Sequence, residues 1–196
     1  MDMALAKTAE LRVGRWLEKI TRALAYGGGF ILALIALVTV ASIIGRFFLS
    51  AGLGPIKGDY EIVEMGSAIA IFAFMPFAQF KRAHVVVDIF TMRLTQRFQT
   101  FLGFVGDSLI ALASGVLVWR FWLGLGEKVP YGSDTLRNVL SMGSKPFFVE
   151  TTYELSVPIW IPYSLAFVGA ALFFITSLFT MWRSLNWTLE GREYQP

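Results

Sequence analysis

The apolar residues of this chain gather into four long runs, at 24–44, 62–80, 101–123 and 159–182. About 20 apolar residues let an α-helix cross roughly 30 Å of hydrocarbon, and each run is long enough. Backbone amides in lipid must find partners within the protein, so the runs predict helices. They do not suit the roughly ten-residue alternating strands of a membrane barrel. Ahead of the first run, Val13, Trp16, Leu17, Ile20 and Leu24 recur at helical spacing beside a second stripe of Arg12, Arg15, Lys19 and Arg22. That pairing predicts a basic amphipathic helix within 1–23, lying where its cations meet anionic headgroups and Trp16 sits at headgroup level. The expected fold is an all-α integral membrane protein: an interfacial helix, a four-helix transmembrane domain over 24–183, and a tail at 184–196.

Composition agrees with this pattern. Hydrophobic residues make up 56% of the 196 and charged residues only 16%, far from the balance of an ordinary soluble domain. The chain has no cysteine, which excludes thiolate nucleophiles, disulfides, iron–sulfur ligation and cysteine zinc sites. Its one histidine, His84, excludes a bis-histidine haem within the chain.

The placement of cations predicts orientation, because Lys and Arg near helix ends are retained on the cytoplasmic side. The N-terminal segment carries Lys7, Arg12, Arg15, Lys19 and Arg22. The second connection carries Lys81, Arg82, Arg93 and Arg97, and the C-terminal part carries Arg183 and Arg192. Four spans put all three on one side, so both termini are expected to be cytoplasmic. The polar N-terminus makes the first helix read as a retained signal anchor rather than a cleaved peptide.

Within the spans, Gly103, Asp107, Ala111 and Gly115 stand four apart on one face of the third helix, where small residues favour close helix approach. Asp107 lies inside the span. It reads either as a packing carboxylate bonded to a serine, an amide or a basic loop residue, or as part of an ion relay. A relay wants further ionisable groups along its path, and no other carboxylate falls inside the third or fourth run. Trp119, Arg120 and Trp122 form an interfacial group at the outer end of the third run. Glu61 and Glu64 open the second run and are accounted for by the helix macrodipole. Pro76 predicts a kink in the second helix, and Gly27, Gly28 and Gly29 predict close packing or a hinge in the first. The external segment 124–158, punctuated by Pro130, Gly132, Gly143 and Pro146, predicts an ordered loop with one short helix near 135–142.

No phosphate loop, dinucleotide fingerprint, zincin motif or hydrolase triad is present. The four runs also lack the paired inverted repeats that build a midplane substrate site. No catalytic residue, cofactor, metal or nucleic-acid partner is expected, and the chain reads as one part of a larger assembly. A membrane anchor of a redox complex is the competing class, but a lone histidine at a membrane boundary argues against haem or quinone ligation.

Two stretches carry a family resemblance: "FKRAHVVVDIF" at the end of the second run and "ELSVPIWIPYSLAFVGAAL" leading into the fourth. With four spans and both ends inside, they resemble the small membrane subunit of tripartite ATP-independent periplasmic (TRAP) transporters, the DctQ-like family, over about residues 20–183. The family's internal-loop pattern falls on Arg82, His84 and Asp88, and its Pro-x-Trp feature on Pro158 and Trp160. The external loop 126–151 is longer than the resemblance leads us to expect. The resemblance implies a non-enzymatic subunit of the bacterial inner membrane. It would scaffold a large elevator-type permease for sodium-coupled uptake of an organic or sugar acid delivered by a periplasmic binding protein. Arg82, His84 and Asp88 would then shape the internal loop or dock it on the large subunit, a plain interfacial histidine being the other reading.

Overall fold

The computed structural model describes residues 7–83 and 95–190. Four of its helices are long and apolar enough to cross a membrane: α1 (Lys7–Phe47), α2 (Asp59–Phe80), α3 (Gln96–Lys128) and α5 (Trp160–Glu190). A short helix α4 (Asp134–Val139) sits in the connection before α5.

The basic amphipathic segment and the first span form one unbroken helix. At 1.5 Å per residue, α1 extends about 62 Å, roughly twice the hydrocarbon thickness. Helix geometry continues through Gly27, Gly28 and Gly29, and the middle glycine is a packing contact. A Cβ at Gly28 would meet the Ala73 Cβ at 3.0 Å and the Ala70 carbonyl oxygen at 3.2 Å, both on α2. Thr21, Gly28, Ile35 and Ser42 are buried seven residues apart, the repeat that keeps one seam facing a neighbouring helix.

The transmembrane helices form a row in which α1 packs on α2, α2 on α5 and α5 on α3. The central position of α5 shows in its burial: 44% of its most apolar window is buried, against 17% for each of the other three. Its inner face is small and polar. Buried Thr176, Ser177 and Thr180 donate their hydroxyls to the carbonyls of Leu172, Phe173 and Ser177 in their own helix at 2.7–3.0 Å. Such local bonds let hydroxyls enter an apolar interface without a desolvation penalty. Gly169 brings α5 directly onto α2, since any side chain there would strike the backbone of Phe72. Pro76 has no N–H to offer the Phe72 carbonyl four residues earlier. Helix α2 nevertheless runs through Pro76 to Phe80, with Gly169 seated against that carbonyl.

The start of α1 and the end of α5 meet on one side, where Lys7 pairs with Glu190 at 3.1 Å and the Asn186 amide donates to Glu10 at 2.6 Å. The end of α2 lies on that side too, through a Lys81–Glu18 ion pair at 3.0 Å. At the C-terminal ends, predicted and observed helices differ most in α5, which continues beyond 182 to Glu190. Arg183, Ser184, Asn186 and Trp187 are buried in this extension, where packing against α1, α2 and α3 replaces hydropathy as the reason for burial.

Candidate functional site

The densest polar cluster lies where α2 ends. Lys81 caps the helix and Arg82 follows with φ +51°, the left-handed conformation usually given to glycine. The Ala83 N–H bonds the Ala78 carbonyl at 2.9 Å and the Arg82 N–H bonds the Gln79 carbonyl at 3.0 Å. These two bonds make a Schellman cap, which satisfies carbonyls left over at the helix end. An arginine in this conformation costs on the order of 1 kcal/mol relative to glycine.

The side chain accounts for the choice. The Arg82 guanidinium reaches α3 and donates to Asp107 Oδ2, which also accepts the Ser184 hydroxyl of α5. The guanidinium also passes over Gly103, one turn before Asp107, where a Cβ would lie in ordinary contact at 3.4 Å from one of its nitrogens. The guanidinium carbon also stands 4.8 Å from the centre of the Trp187 ring. One carboxylate within α3 thus ties together the end of α2 and the last turns of α5.

A second cation reinforces the junction. Buried Arg183 donates to the Phe80 carbonyl at 3.0 Å and lies 5.1–5.6 Å from the rings of Phe80, Phe179 and Trp187. Next to it the fully buried Gln79 amide donates to Thr180 Oγ1 at 2.7 Å. Phe80 and Phe179 stack at 5.9 Å and close over Leu17 of α1.

The opposite end is organised by two residues with unlike roles. Arg137 of α4 is 1% exposed and makes six hydrogen bonds, all to carbonyl oxygens: Gly126, Val129, Tyr131, Met142, Gly143 and Ser144. It is the hub around which 126–144 folds. Glu61, in the first turn of α2, accepts the backbone amides of Glu154 at 2.7 Å and Leu155 at 3.0 Å. The macrodipole accounts for an acid at that position, but its partners lie more than ninety residues away in the loop before α5. Asp59 joins the first connection to α1 by accepting from Ser42 at 2.5 Å and from Arg46.

The other sequence candidates disperse. Arg12, Arg15, Trp16 and Lys19 line an exposed hollow on α1, whereas Arg22 is paired with Glu18 at 2.6 Å. Trp119 and Arg120 are exposed. Trp122 is partly covered, its indole N–H donating to the Leu140 carbonyl at 2.8 Å in the loop between α3 and α5. Pro158 forms a bridge with Thr151, and Trp160 opens α5 with an edge-on contact to Tyr131 at 5.7 Å. His84 and Asp88 lie outside the described residues. Among the described residues, no group of three or more metal-ligating side chains occurs.

The polar residues at both ends bond helices and loops to one another, which defines a multi-pass membrane component built for helix and loop organisation. The model for the DctQ component of tripartite ATP-independent periplasmic transporters matches residues 35–186, from the middle of α1 into the last turns of α5. The chain belongs to this family and is a transport component, not an enzyme. No curated protein and no solved structure matches it.

Proposed function

We infer that the chain is the small permease subunit of a sodium-coupled TRAP importer in the bacterial inner membrane, with both termini cytoplasmic. It forms a static scaffold for a large multi-span permease that holds the substrate and sodium sites and moves as an elevator. The substrate, an organic or sugar acid, arrives on a periplasmic binding protein. The observation that carries this reading is the disposition of polar groups. The buried side chains Asp107, Arg137 and Arg183 and the partly buried Arg82 contact helix ends, loop carbonyls and aromatic faces, not a path across the row.

The shape supports the same reading. In a four-helix row, α1 and α3 each pack along one neighbour, leaving broad apolar faces such as Phe30, Leu37 and Ile44 on α1 and Leu109, Leu112 and Val116 on α3. Lipid or helices of a larger subunit can cover them. Arg82, Asp107, Pro158 and Trp160 serve this role by fixing the two ends of the scaffold, and His84 and Asp88 by docking the internal loop on the large subunit.

Assembly is the first test. Affinity purification of the full chain in mild detergent from its native membrane is expected to bring down a much larger multi-span protein in stoichiometric amount. Recovery of the chain alone, under conditions that keep it folded, would contradict the assignment.

A further inference from the structure

We propose that the N-terminal part of α1 carries a binding site for one anionic phospholipid, with the headgroup held by Arg12, Arg15, Trp16 and Lys19 and an acyl chain lying along Gly27. This part of the helix precedes the family match, which begins at residue 35.

The cations of α1 divide into two sets. Lys7 is paired with Glu190 and Arg22 with Glu18, so their charges are used within the protein. Arg12, Arg15 and Lys19 make no hydrogen bond or ion pair among the described residues. Their positions, three and four apart, put them on one helical face with Trp16. Together the four residues line a hollow of about 170 Å³. Three positive charges in one concavity call for an anion carrying several acceptor oxygens, and guanidinium groups match phosphate geometry.

Depth and the neighbouring surface favour a phospholipid over free phosphate. The Glu18–Lys81 pair and the contact of Leu17 with Phe80 set this part of α1 level with the end of the second span. Arg12 and Lys19 therefore occupy roughly the first two turns about that boundary, a distance comparable with the thickness of a headgroup layer. Trp16 is 70% exposed, as an indole among headgroups would be. Continuing at helical spacing toward the bilayer, the same face presents Ala23, Tyr26, Gly27 and Phe30. Tyr26 and Phe30 are 75% and 66% exposed, and nothing lies within 4 Å of the position a Cβ on Gly27 would occupy. The glycine leaves an apolar notch between two aromatic rings, in line with the basic hollow.

The test uses the full chain, with any subunit that copurifies, delipidated and placed in phosphatidylethanolamine nanodiscs. Dioleoylphosphatidylglycerol is titrated against dioleoylphosphatidylethanolamine and inorganic phosphate, with binding read by native mass spectrometry and Trp16 fluorescence. One phosphatidylglycerol is expected to bind, and neither phosphatidylethanolamine nor phosphate should compete. The triple variant Arg12→Gln, Arg15→Gln, Lys19→Gln should bind on the order of 100-fold more weakly. Gly27→Leu should also weaken binding, while Arg22→Gln should not. All three variants are checked for unchanged helix content by circular dichroism. Equal binding of the two lipids, full competition by phosphate, or retained affinity in the triple variant would overturn the site. So would loss of lipid binding whenever the large subunit is present, which would assign the face to protein contact.

Discussion

Replacing Arg137 by lysine is expected to unfold the loop between α3 and α5 while leaving the transmembrane row assembled. Lysine keeps the charge but offers one nitrogen with three donors, whereas Arg137 uses three nitrogens spread across a rigid plane to reach six carbonyls. At least three of those carbonyls would lose their partner in a site that is 1% exposed. Hydrogen bonds to a charged donor contribute about 1.5–3 kcal/mol each, so the loss of three lowers loop stability by at least about 4 kcal/mol. Hydrogen exchange should show loss of protection over 126–144 with little change in α2 and α5. Lys145→Gln, an exposed cation of the same loop, serves as the control and should change nothing. Full protection in Arg137→Lys would mean that charge alone, rather than the guanidinium fork, holds the loop.

Removing Asp107 is expected to cost somewhat less, for a different reason. Asp107→Ala removes the carboxylate from a partly buried pair in which the Arg82 guanidinium is a quarter exposed, so a loss of about 2–4 kcal/mol is expected, below that of a fully buried pair. It also leaves Arg82 in a left-handed backbone conformation with its tie to α3 gone. The double variant Arg82→Gly, Asp107→Ala should recover much of the loss, because glycine suits the Schellman position and no buried charge remains unmatched. Thermal unfolding of the two single variants and the double variant gives the coupling directly. Destabilisation of the double variant by the sum of the singles would refute the ion pair. If the stable double variant assembles normally yet loses ion coupling, Asp107 is a relay group rather than a tie between helices.

These two residues also show where sequence reading succeeds and where it stops. Four spans follow from four apolar runs, because hydrocarbon imposes one requirement on every residue of a run. The ends of the helices do not follow. Helix α5 reaches Glu190 by burying Arg183, Ser184, Asn186 and Trp187 against neighbouring helices, and hydropathy registers those residues as polar tail. The amphipathic stripe before the first span is legible, but its fusion with that span into one helix is not, nor is the seating of Gly28 against Ala70 and Ala73.

Asp107 stands out in sequence because a carboxylate in an apolar run is rare, and a serine or basic loop residue is a chemically sensible partner. Which ones it takes, Arg82 and Ser184, depends on the left-handed backbone at Arg82 and on the α3–α5 register. Arg137 gives no such signal. A cation in a loop rich in glycine and proline reads as solvated, and only the fold reveals that six carbonyls converge on it. Pro130, Gly132 and Gly143 are a trace of that folding, since Gly132 and Gly143 both adopt positive φ around the guanidinium.

The central claim is that this chain is a scaffold on which another subunit performs transport. Its most direct test is sodium-driven uptake in proteoliposomes containing the large permease and the periplasmic binding protein, with and without the full chain. Uptake is expected to require the chain. It should also persist, with its sodium dependence unchanged, when the Arg82→Gly, Asp107→Ala variant replaces the natural chain. Undiminished uptake in the absence of the chain would contradict the account.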